Sequence, residues 1–251
     1  MDSGIAPLHV EGVGKSFGGL QALMDVNFAL QEGERRVIIG PNGAGKTTFF
    51  HLISGVLLPS SGQISIFGHN VTNQPPHRRA RLGLARTFQI NNLFLKLTVL
   101  ENIVMAIQVR ENIRFSLLRS LNSYRNLFSR AEALMEEWGL SDKADTLVRN
   151  LSYGDQRVIE VVMALAQDPK LLLLDEPTAG LSPAETATVT NMLKQLPRSI
   201  TVLLIEHDMD VAFAMADRVT VFYMGQVLIE GTPDEVRQNS KVQEIYLGRP
   251  A

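Results

Sequence analysis

The segment GPNGAGKTT, residues 40 to 48, decides the fold of this chain, and it follows the short apolar run RRVIIG at 35 to 40. An apolar run that ends in glycine is typical of a buried parallel strand, and the residues after Lys46 predict a helix to about residue 57. The segment matches the pattern G-x-x-x-x-G-K-[ST] between a strand and a helix, which is the context that the pattern requires. Its glycines let backbone N–H groups converge on a phosphate, and the positive end of the helix dipole faces the same point. We therefore expect a nucleotide phosphate site here.

All residues of this segment are candidates for nucleotide binding: Gly40, Pro41, Asn42, Gly43, Ala44, Gly45, Lys46, Thr47 and Thr48. Lys46 should reach the β- and γ-phosphates, and Thr47 should be a ligand of Mg²⁺. The alternative is a glycine-rich turn that Lys-Thr follows by chance, which at ordinary residue frequencies occurs in roughly one chain in a hundred of this length. The strand before the segment and the helix after it favour the phosphate site.

A second run, LLLLDEP at 171 to 177, predicts a buried strand that ends in two carboxylates. Asp175 would lie at the carboxyl end of the strand, where open α/β sheets bind their ligands, and we expect it to hold Mg²⁺, through water. Glu176 can then face the γ-phosphate and polarise the attacking water. By itself the D-E-P segment would be read as a solvated turn. The phosphate segment upstream reverses that preference.

His207 follows a third apolar run, TVLLIE at 201 to 206, in the segment IEHDMD. A lone histidine is usually a surface or capping residue, and Asp208 could simply cap the next helix. The end of a neighbouring strand in the same sheet is a different setting, because a side chain there can reach a γ-phosphate. We therefore expect His207 to hydrogen-bond that phosphate.

The bulk composition restricts the partners of the chain. It has 251 residues, a formal net charge of -2 and no cysteine. The net charge gives no general electrostatic reason to bind nucleic acid, and the lack of cysteine excludes disulfides, thiolate catalysis and cysteine zinc sites. The amino-terminal residues do not resemble a secretion signal, and no apolar run approaches the roughly 18 residues that cross a bilayer. We expect a chain that is soluble by itself and meets a membrane only through partners.

The order of the predicted elements indicates an α/β core that is interrupted by a helical block. Strands are predicted at 8–10, 26–30, 63–68 and 218–223 in addition to those above, whereas residues 93 to 150 read almost entirely as helix. Three segments have the capping-box pattern that begins a helix, at 98–101, 182–185 and 232–235. Helices are also predicted at about 129–138 and at 158–166.

The polar segment LSYGDQR, residues 151 to 157, fits neither a core strand nor a linker. From its residues alone it is the start of a helix with Ser152 as the N-cap. A helix N-terminus can also hold an anion, but the phosphate site of residues 40 to 48 already has its own helix. The residues therefore leave two readings open, a capped helix start or a second anion site.

Taken in this order, the motifs resemble those of an ATP-binding cassette (ABC) ATPase, the nucleotide-binding subunit of an ABC transporter. The resemblance covers essentially the whole chain, and it includes T87-F88-Q89 after a strand and the D-loop A179-G-L-S182. It implies an α/β P-loop NTPase core with an antiparallel β subdomain and an inserted α-helical subdomain. On this basis residues 1–251 are one ABC domain, with the core and β subdomain at about 1–90 and 155–251 and the helical subdomain at about 91–154.

The resemblance gives LSYGDQR a role, since the corresponding loop in that family binds the γ-phosphate of ATP held by the other subunit of a head-to-tail dimer. Ser152 and Gly154 match that loop, whereas Tyr153 and Asp155 depart from it, so the role of Asp155 stays open. Phe17 matches the aromatic residue that stacks on adenine. Its alternative is a core phenylalanine beside a turn.

The same resemblance assigns Gln89 to Mg²⁺ and the attacking water, and to the link between the helical block and a permease. Ser182 of the D-loop would cross the dimer, although its capping-box position is already a sufficient reason for it. The stretch from Arg110 to Arg130 is rich in arginine. A solvated helical face is the favoured reading of that stretch, and contact with lipid headgroups or a permease loop is the alternative.

Several segments are similar to the branched-chain amino acid (Liv-type) importer ATPases, namely LSYGDQR, EHDMDVAFAMADRVTV and the closing G-T-P-D-E-V and I-Y-L-G. This similarity implies ATP and Mg²⁺ as cofactors and a second ABC ATPase subunit, identical or related, as a partner. It also implies transmembrane permease subunits, an extracytoplasmic solute-binding protein that acts indirectly, and a peripheral location at the cytoplasmic face of the inner membrane. No nucleic acid partner is expected.

Three alternatives stay open at this point. Urea and amide importers have similar ATPase subunits, so the cargo is not decided. A soluble ABC ATPase that acts on DNA or the ribosome is a second reading, but such proteins usually have two cassettes, a coiled-coil insert or a basic surface. An ordinary P-loop kinase or GTPase is the third, and the chain has no N-K-x-D segment that would read guanine.

Overall fold

The computed structural model describes residues 5–87, 93–111 and 125–247. Within them an antiparallel sheet contains four strands in the order β2-β1-β4-β5. Its strands are β1 (Leu8–Phe17), β2 (Leu20–Leu30), β4 (Ser61–Ile66) and β5 (His69–Asn70). The predicted strands at 8–10 and 26–30 are therefore parts of one long hairpin, and the expected antiparallel β unit is present.

A six-stranded sheet forms the centre of the core, in the order β10-β9-β3-β8-β7-β6. Its strands are β3 (Arg35–Ile39), β6 (Leu84–Arg86), β7 (Leu171–Asp175), β8 (Thr201–Ile205), β9 (Arg218–Tyr223) and β10 (Gln226–Gly231). All neighbouring pairs are parallel except β9 with β10. Because β3, β8 and β7 are adjacent and parallel, the three segments that carry predicted site residues leave the sheet at one edge.

Most of the helices within the described residues lie where capping patterns and hydrophobic periodicity predict a helix. They are α1 (Lys46–Ser54), α2 (Pro76–Arg81), α3 (Val99–Glu111), α4 (Arg125–Glu137), α5 (Tyr153–Leu165), α6 (Pro183–Gln195), α7 (Met209–Met215), α8 (Pro233–Gln238) and α9 (Ser240–Leu247). All three predicted capping boxes are confirmed, at the starts of α3, α6 and α8. None of these helices is long and apolar enough to cross a membrane.

Three predicted helix boundaries are wrong, the first being the start of α4, which lies at Arg125 instead of about residue 129. Helix α1 ends at Ser54 instead of continuing to residue 57, because Gly55 adopts the left-handed conformation with φ 80° and closes the helix. Helix α5 begins at Tyr153 instead of residue 158, with Ser152 as its N-cap. The polar segment LSYGDQR therefore contains the N-cap and the first turn of α5, a helix most of whose residues are buried. Strand β10 and helix α2 have no counterpart among the predictions.

The central sheet is buried on both faces, as its apolar strands predict. Alternate residues of each strand enter two separate clusters: Val37 and Leu172 pack toward the long helices, whereas Ile38 and Leu173 pack toward α1 and the antiparallel sheet. Phe49 of α1 lies in the second cluster. Helix α1 is thus held between two sheets, and its amino terminus with the phosphate segment has a fixed position.

The carboxyl end of α1 is fixed by an arginine that the sequence analysis did not single out. The Arg79 side chain of α2 is fully buried, and its Nη1 atom donates to the carbonyl oxygens of Leu52 at 2.6 Å and Ile53 at 2.7 Å. Burial lowers the pKa of Arg79 to about 10. A cation at this end of a helix stabilises the carbonyl groups that have no intrahelical partner.

Candidate active site

The segment 40–48 forms the turn between β3 and α1, as predicted. A Cβ atom on Gly40 would lie 2.3 Å from the carbonyl oxygen of Phe222, so only glycine fits where the loop passes β9. Gly45 is the N-cap of α1, with φ 101° and without a side-chain capping bond. The first N–H groups of the helix are therefore not satisfied by a side-chain cap, which is the condition for an anion to bind them.

Lys46 lies across this loop. Its Nζ atom donates to the carbonyl oxygen of Gly40 at 2.6 Å and to that of Pro41 at 3.1 Å, and the residue is buried. Burial lowers the pKa of Lys46, and the nearby carboxylates of Asp175 and Glu176 oppose that shift. The Lys46 side chain is therefore bonded to the phosphate segment itself and lies close enough to the two predicted acids at the end of β7 to feel their charge.

Asp175 ends β7 as a buried side chain, and Arg86 at the end of β6 donates from Nη2 to its Oδ2 atom at 2.9 Å. Nη1 of Arg86 donates to Ser54 at the end of α1. Burial raises the pKa of Asp175, and the ion pair with Arg86 opposes the rise. The other oxygen, Oδ1, is buried and accepts no hydrogen bond from the residues that the structure describes.

The donor set beside α1 fits Mg²⁺. A buried carboxylate oxygen without a protein donor needs a cation or water as a partner, and Oδ1 of Asp175 is such an atom. The hydroxyl of Thr47, in the first turn of α1, would be a second hard oxygen ligand of the kind that Mg²⁺ prefers. Gln89, the third predicted metal ligand, lies outside the described residues.

Glu176 and His207 meet at the exposed edge of the sheet. Oε1 of Glu176 lies 2.6 Å from Nε2 of His207. Glu176 adopts a left-handed backbone with φ 50°, and its N–H donates to the carbonyl oxygen of Ile205 in β8. The last residues of β7 and β8 are therefore joined by backbone and side-chain contacts, and the two predicted catalytic groups form a pair.

The start of α5 lies against the start of α6. The backbone N–H of Gly154 donates to Oε1 of Glu185 at 3.0 Å, and Ser152 accepts a hydrogen bond from the N–H of Asp155. A Cβ atom on Gly154 would lie 2.6 Å from Cγ of Glu185, so this close approach requires the glycine. The Asp155 carboxylate pairs with Lys143 at 2.6 Å and fastens α5 to the short turn before it.

The structure brings some predicted site residues together and leaves others apart. Lys46, Asp175, Glu176 and His207 share one edge of the sheet, whereas Ser152 and Gly154 contact the amino end of α6 instead. Phe17 is 45% exposed at the turn between β1 and β2. The stacking role of Phe17 stays a prediction.

Three residues around these sites were missed by the sequence analysis: Arg86, Glu185 and Glu206. Glu185 was seen only as a capping-box residue, and Arg86 was not singled out at all. Glu206 follows β8 and is 2% exposed. A charged residue directly after an apolar run is the one signal that marks Arg86 and Glu206, and a similar signal marks many ordinary turns.

This geometry defines an ATP-binding cassette ATPase, and the chain belongs to the ABC transporter family, which it matches over residues 23–179. The ADP conformation of an ATP-binding cassette of an ABC transporter has a similar structure, with a TM-score of 0.84 at 30% identity over 97% of this chain and 99% of that chain. A dimeric post-hydrolysis state of another cassette, bound to ADP and Pi, has a TM-score of 0.74 at 27% identity over 90% and 98% of the two chains. The P-loop NTPase fold, nucleotide binding and the ATPase class are thereby confirmed.

Within that family the chain is a Liv-type subunit. Residues 226–251 match the branched-chain amino acid ATP-binding cassette transporter family. The high-affinity branched-chain amino acid transport ATP-binding protein LivG of Escherichia coli (strain K12) is 39% identical over 249 residues, which cover 96% of this chain and 97% of that protein. The resemblance drawn from the motifs is confirmed.

Proposed function

We propose that this chain hydrolyses ATP to power the import of branched-chain or related amino acids. The observation that carries the chemistry is the pair of Glu176 and His207 at 2.6 Å, next to Lys46 and the buried Asp175. The support for the cargo is the full-length similarity to a branched-chain amino acid transport protein.

ATP binding would begin at the uncapped amino end of α1. The triphosphate would bind the backbone N–H groups of residues 40–48, and Lys46 would exchange its bonds to the Gly40 and Pro41 carbonyls for the β- and γ-phosphates. Phe17 would stack on the adenine. Thr47, Asp175 through water, and Gln89 would hold Mg²⁺, which when bound neutralises charge on the phosphates.

Hydrolysis would then depend on the pair at the end of β7 and β8. Glu176 would hold and polarise the water for in-line attack on the γ-phosphate, and His207 would hydrogen-bond the γ-phosphate oxygens. The contact between the two side chains supports this division, because it keeps the histidine beside the attacking water. Lys46 would stabilise the charge that develops on the transferred group.

The loop of Ser152 and Gly154 would serve ATP bound to a second ABC subunit. Support for this proposal is that the Gly154 N–H bonds Glu185 at the amino end of α6, which contributes no residue to the Lys46 site. Two subunits that bind head to tail would place each loop on the γ-phosphate of the other, and Ser182 would lie at the same interface. The dimeric structure of another cassette bound to ADP and Pi is a precedent for the pairing of two cassettes.

The link to a membrane would lie in the helical block. We propose that residues 91–154 form a helical subdomain set on a core and β subdomain at about 1–90 and 155–251. Gln89 and residues 90–104 would pass closure of the dimer to transmembrane permease subunits at the cytoplasmic face of the inner membrane. An extracytoplasmic solute-binding protein would deliver the cargo to those subunits.

The experiment that tests ATP binding and the head-to-tail pairing is the molar mass of Glu176→Gln by light scattering with and without ATP. We expect ATP to double the mass and Ser152→Ala to abolish the doubling. If ATP binds without doubling, the chain pairs with a different ATPase subunit, and co-expression with that subunit must restore the ATP-dependent complex. If ATP does not bind at all, the proposal that this chain hydrolyses ATP is wrong.

The cargo needs a separate test, in cells that lack this chain. We expect uptake of labelled leucine to return with the natural sequence and not with Glu176→Gln. Labelled urea is the matched control, because urea and amide importers have similar ATPase subunits. Recovery of urea uptake with no recovery of leucine uptake would reassign the cargo.

A further inference from the structure

Glu206 is a buried carboxylate to which neither the phosphate site nor the fold of the sheet gives a role. It is the first residue after β8, and its side chain is almost completely shielded from water. A charged group in such a place is costly unless several donors satisfy it. The donors that satisfy it therefore indicate what it does.

Four neutral donors bond this carboxylate, from two separate turns. Oε1 accepts the backbone N–H of Thr178 at 3.2 Å and the Thr178 hydroxyl at 2.7 Å. Oε2 accepts the N–H of His207 at 3.1 Å, and the N–H of Asp208 also bonds the carboxylate. Burial raises the pKa of Glu206, and the bonds from Thr178 oppose the rise. All four groups donate, which is the pattern that an ionised carboxylate satisfies.

The two turns that Glu206 joins carry the two groups of the proposed hydrolytic pair. Thr178 lies two residues after Glu176, in the turn that the N–H of Ala179 closes on the Glu176 carbonyl oxygen at 3.1 Å. His207 is the next residue after Glu206 itself. One carboxylate thus fixes the distance between the backbone that presents Glu176 and the backbone that presents His207.

Glu176 needs such support because of its backbone. With φ 50° it is in the left-handed region, which is unfavourable for a residue other than glycine and persists only where neighbours hold it. The Glu176 N–H bond to β8 holds the amino side of the residue. The Glu206–Thr178 bonds hold the carboxyl side, so both sides of the strained residue are attached to the same strand end.

We propose that Glu206 is a positioning residue for ATP hydrolysis, whose buried carboxylate fastens the Glu176 turn to the His207 turn and sets the geometry of that pair. This inference rests on the roles proposed above for Glu176 and His207. Glu206 touches neither the nucleotide nor the attacking water in this scheme. Its removal should therefore slow the chemical step without weakening nucleotide binding.

The test compares Glu206→Gln with the natural sequence in the full-length chain, in the assembly that hydrolyses ATP. Glutamine has the same shape, but its amide NH₂ cannot accept a hydrogen bond, so at least one backbone N–H loses its partner in either orientation of the amide. We expect kcat to fall about 10- to 100-fold, as for a small misplacement of catalytic groups, with KM and the Kd of a fluorescent ATP analogue unchanged within about twofold. An unchanged kcat overturns the inference.

A matched control removes the effect of general destabilisation. Glu34 is a buried carboxylate at the opposite end of the sheet, where it accepts from the N–H of Gln31 at 2.8 Å and pairs with Arg36 at 2.6 Å. Glu34→Gln should lower the melting temperature and leave kcat unchanged. If it lowers kcat as much as Glu206→Gln does, the effect is structural and the inference is wrong.

Two further variants keep the test decisive. Thr178→Val deletes one bond to Glu206 at constant shape, so kcat should fall severalfold even if Glu206→Gln does not fold, and an unchanged kcat there contradicts the inference. Glu176→Gln tests the catalytic role that is proposed for Glu176, on which the inference about Glu206 rests. If that variant still hydrolyses ATP, the role of Glu176 fails. If it is inactive while both other variants keep full kcat, only the inference about Glu206 fails.

Discussion

Two glycine-containing helix starts, the phosphate segment at 40–48 and the segment at 151–157, differ in what their N–H groups bond. The phosphate segment leads into α1 with Gly45 as an N-cap that has no side-chain bond. The other leads into α5 with Ser152 as a bonded N-cap, and the carboxylate of Glu185 covers the N–H of Gly154. Both are helix N-termini with the same dipole, yet one has side-chain partners and the other does not.

This difference teaches that a helix N-terminus becomes an anion site only when its donors are available. A triphosphate can bind the first segment once Lys46 leaves two carbonyl oxygens. In the proposed dimer, a γ-phosphate at the second segment would have to displace the Glu185 carboxylate from the Gly154 N–H. On this proposal the first site would act within one chain, whereas the second would need a partner subunit. Four predictions test this comparison.

The largest effect is expected at the phosphate segment, from Lys46→Ala. ATP hydrolysis should fall about 100-fold or more, because a charged donor to the transferred phosphate is lost, and binding of a fluorescent ATP analogue should weaken. Steady-state ATPase assays and fluorescence titration measure the two effects. Lys194→Ala, which removes an exposed lysine of α6, is the control. Equal ATPase activities of the two variants would show that Lys46 does not act on the phosphates.

The next largest effect is expected from Ser152→Ala, which removes the N-cap of α5. Loss of the bond to the Asp155 N–H should cost about 1 kcal/mol of unfolding free energy, which thermal denaturation detects as a fall of about 2–4 °C in Tm. The matched change in the other helix, Gly45→Ser, cannot restore a cap, because a Cβ there would lie 2.7 Å from Leu23. A Tm that rises in Gly45→Ser would break the comparison.

A smaller effect should come from Glu185→Gln in the Glu176→Gln background. Without its negative charge, the side chain competes less well with a γ-phosphate for the Gly154 N–H, so the ATP concentration for half-maximal dimer formation should fall about two- to fivefold. Light scattering over an ATP titration measures this half-maximal concentration. Glu235→Gln is the matched control, since Glu235 holds the same capping-box position in α8. A shift of the same size in that variant would show that Glu185 does not cover a phosphate site.

The smallest effect is expected from Lys143→Ala, which breaks the ion pair with Asp155. Both side chains are about a third exposed, at 30% and 28%, so the pair should contribute at most about 1 kcal/mol and less at high salt. Thermal denaturation at low and high salt measures that contribution. A large loss of ATP-dependent dimerisation would instead show that Asp155 has a direct role in the second segment.

Local patterns in the sequence predicted much of the fold. The run RRVIIG and the glycine segment after it identify β3, the phosphate turn and α1, because an apolar run, glycines and a Lys-Thr pair act through neighbouring residues. The capping boxes at 98–101, 182–185 and 232–235 are of the same kind. The positions of Glu176 and His207 after two apolar runs were also predicted, since parallel strands of one sheet end at one edge, whereas the 2.6 Å contact between their side chains was not.

The contacts that join distant parts of the chain could not be predicted in this way. The bond from Gly154 to Glu185, the ion pair of Arg86 with Asp175, and the bonds of Glu206 to Thr178 each join residues far apart in sequence. A capping-box glutamate has a complete local explanation, so nothing in the pattern indicates that Glu185 has a second partner. The same limit applies to the role of Asp155, which became visible only as the partner of Lys143.

The sequence by itself thus determined the class of protein, the phosphate segment and the residues at the ends of β7 and β8, because periodicity, turn chemistry and motif spacing are local properties. Only the tertiary structure decided which donors are available and which carboxylates are already bonded. Those properties depend on the packing of α5 against α6 and of β7 against β8. The physical reason is that a hydrogen bond is set by distance in space, which the fold imposes and no single segment encodes.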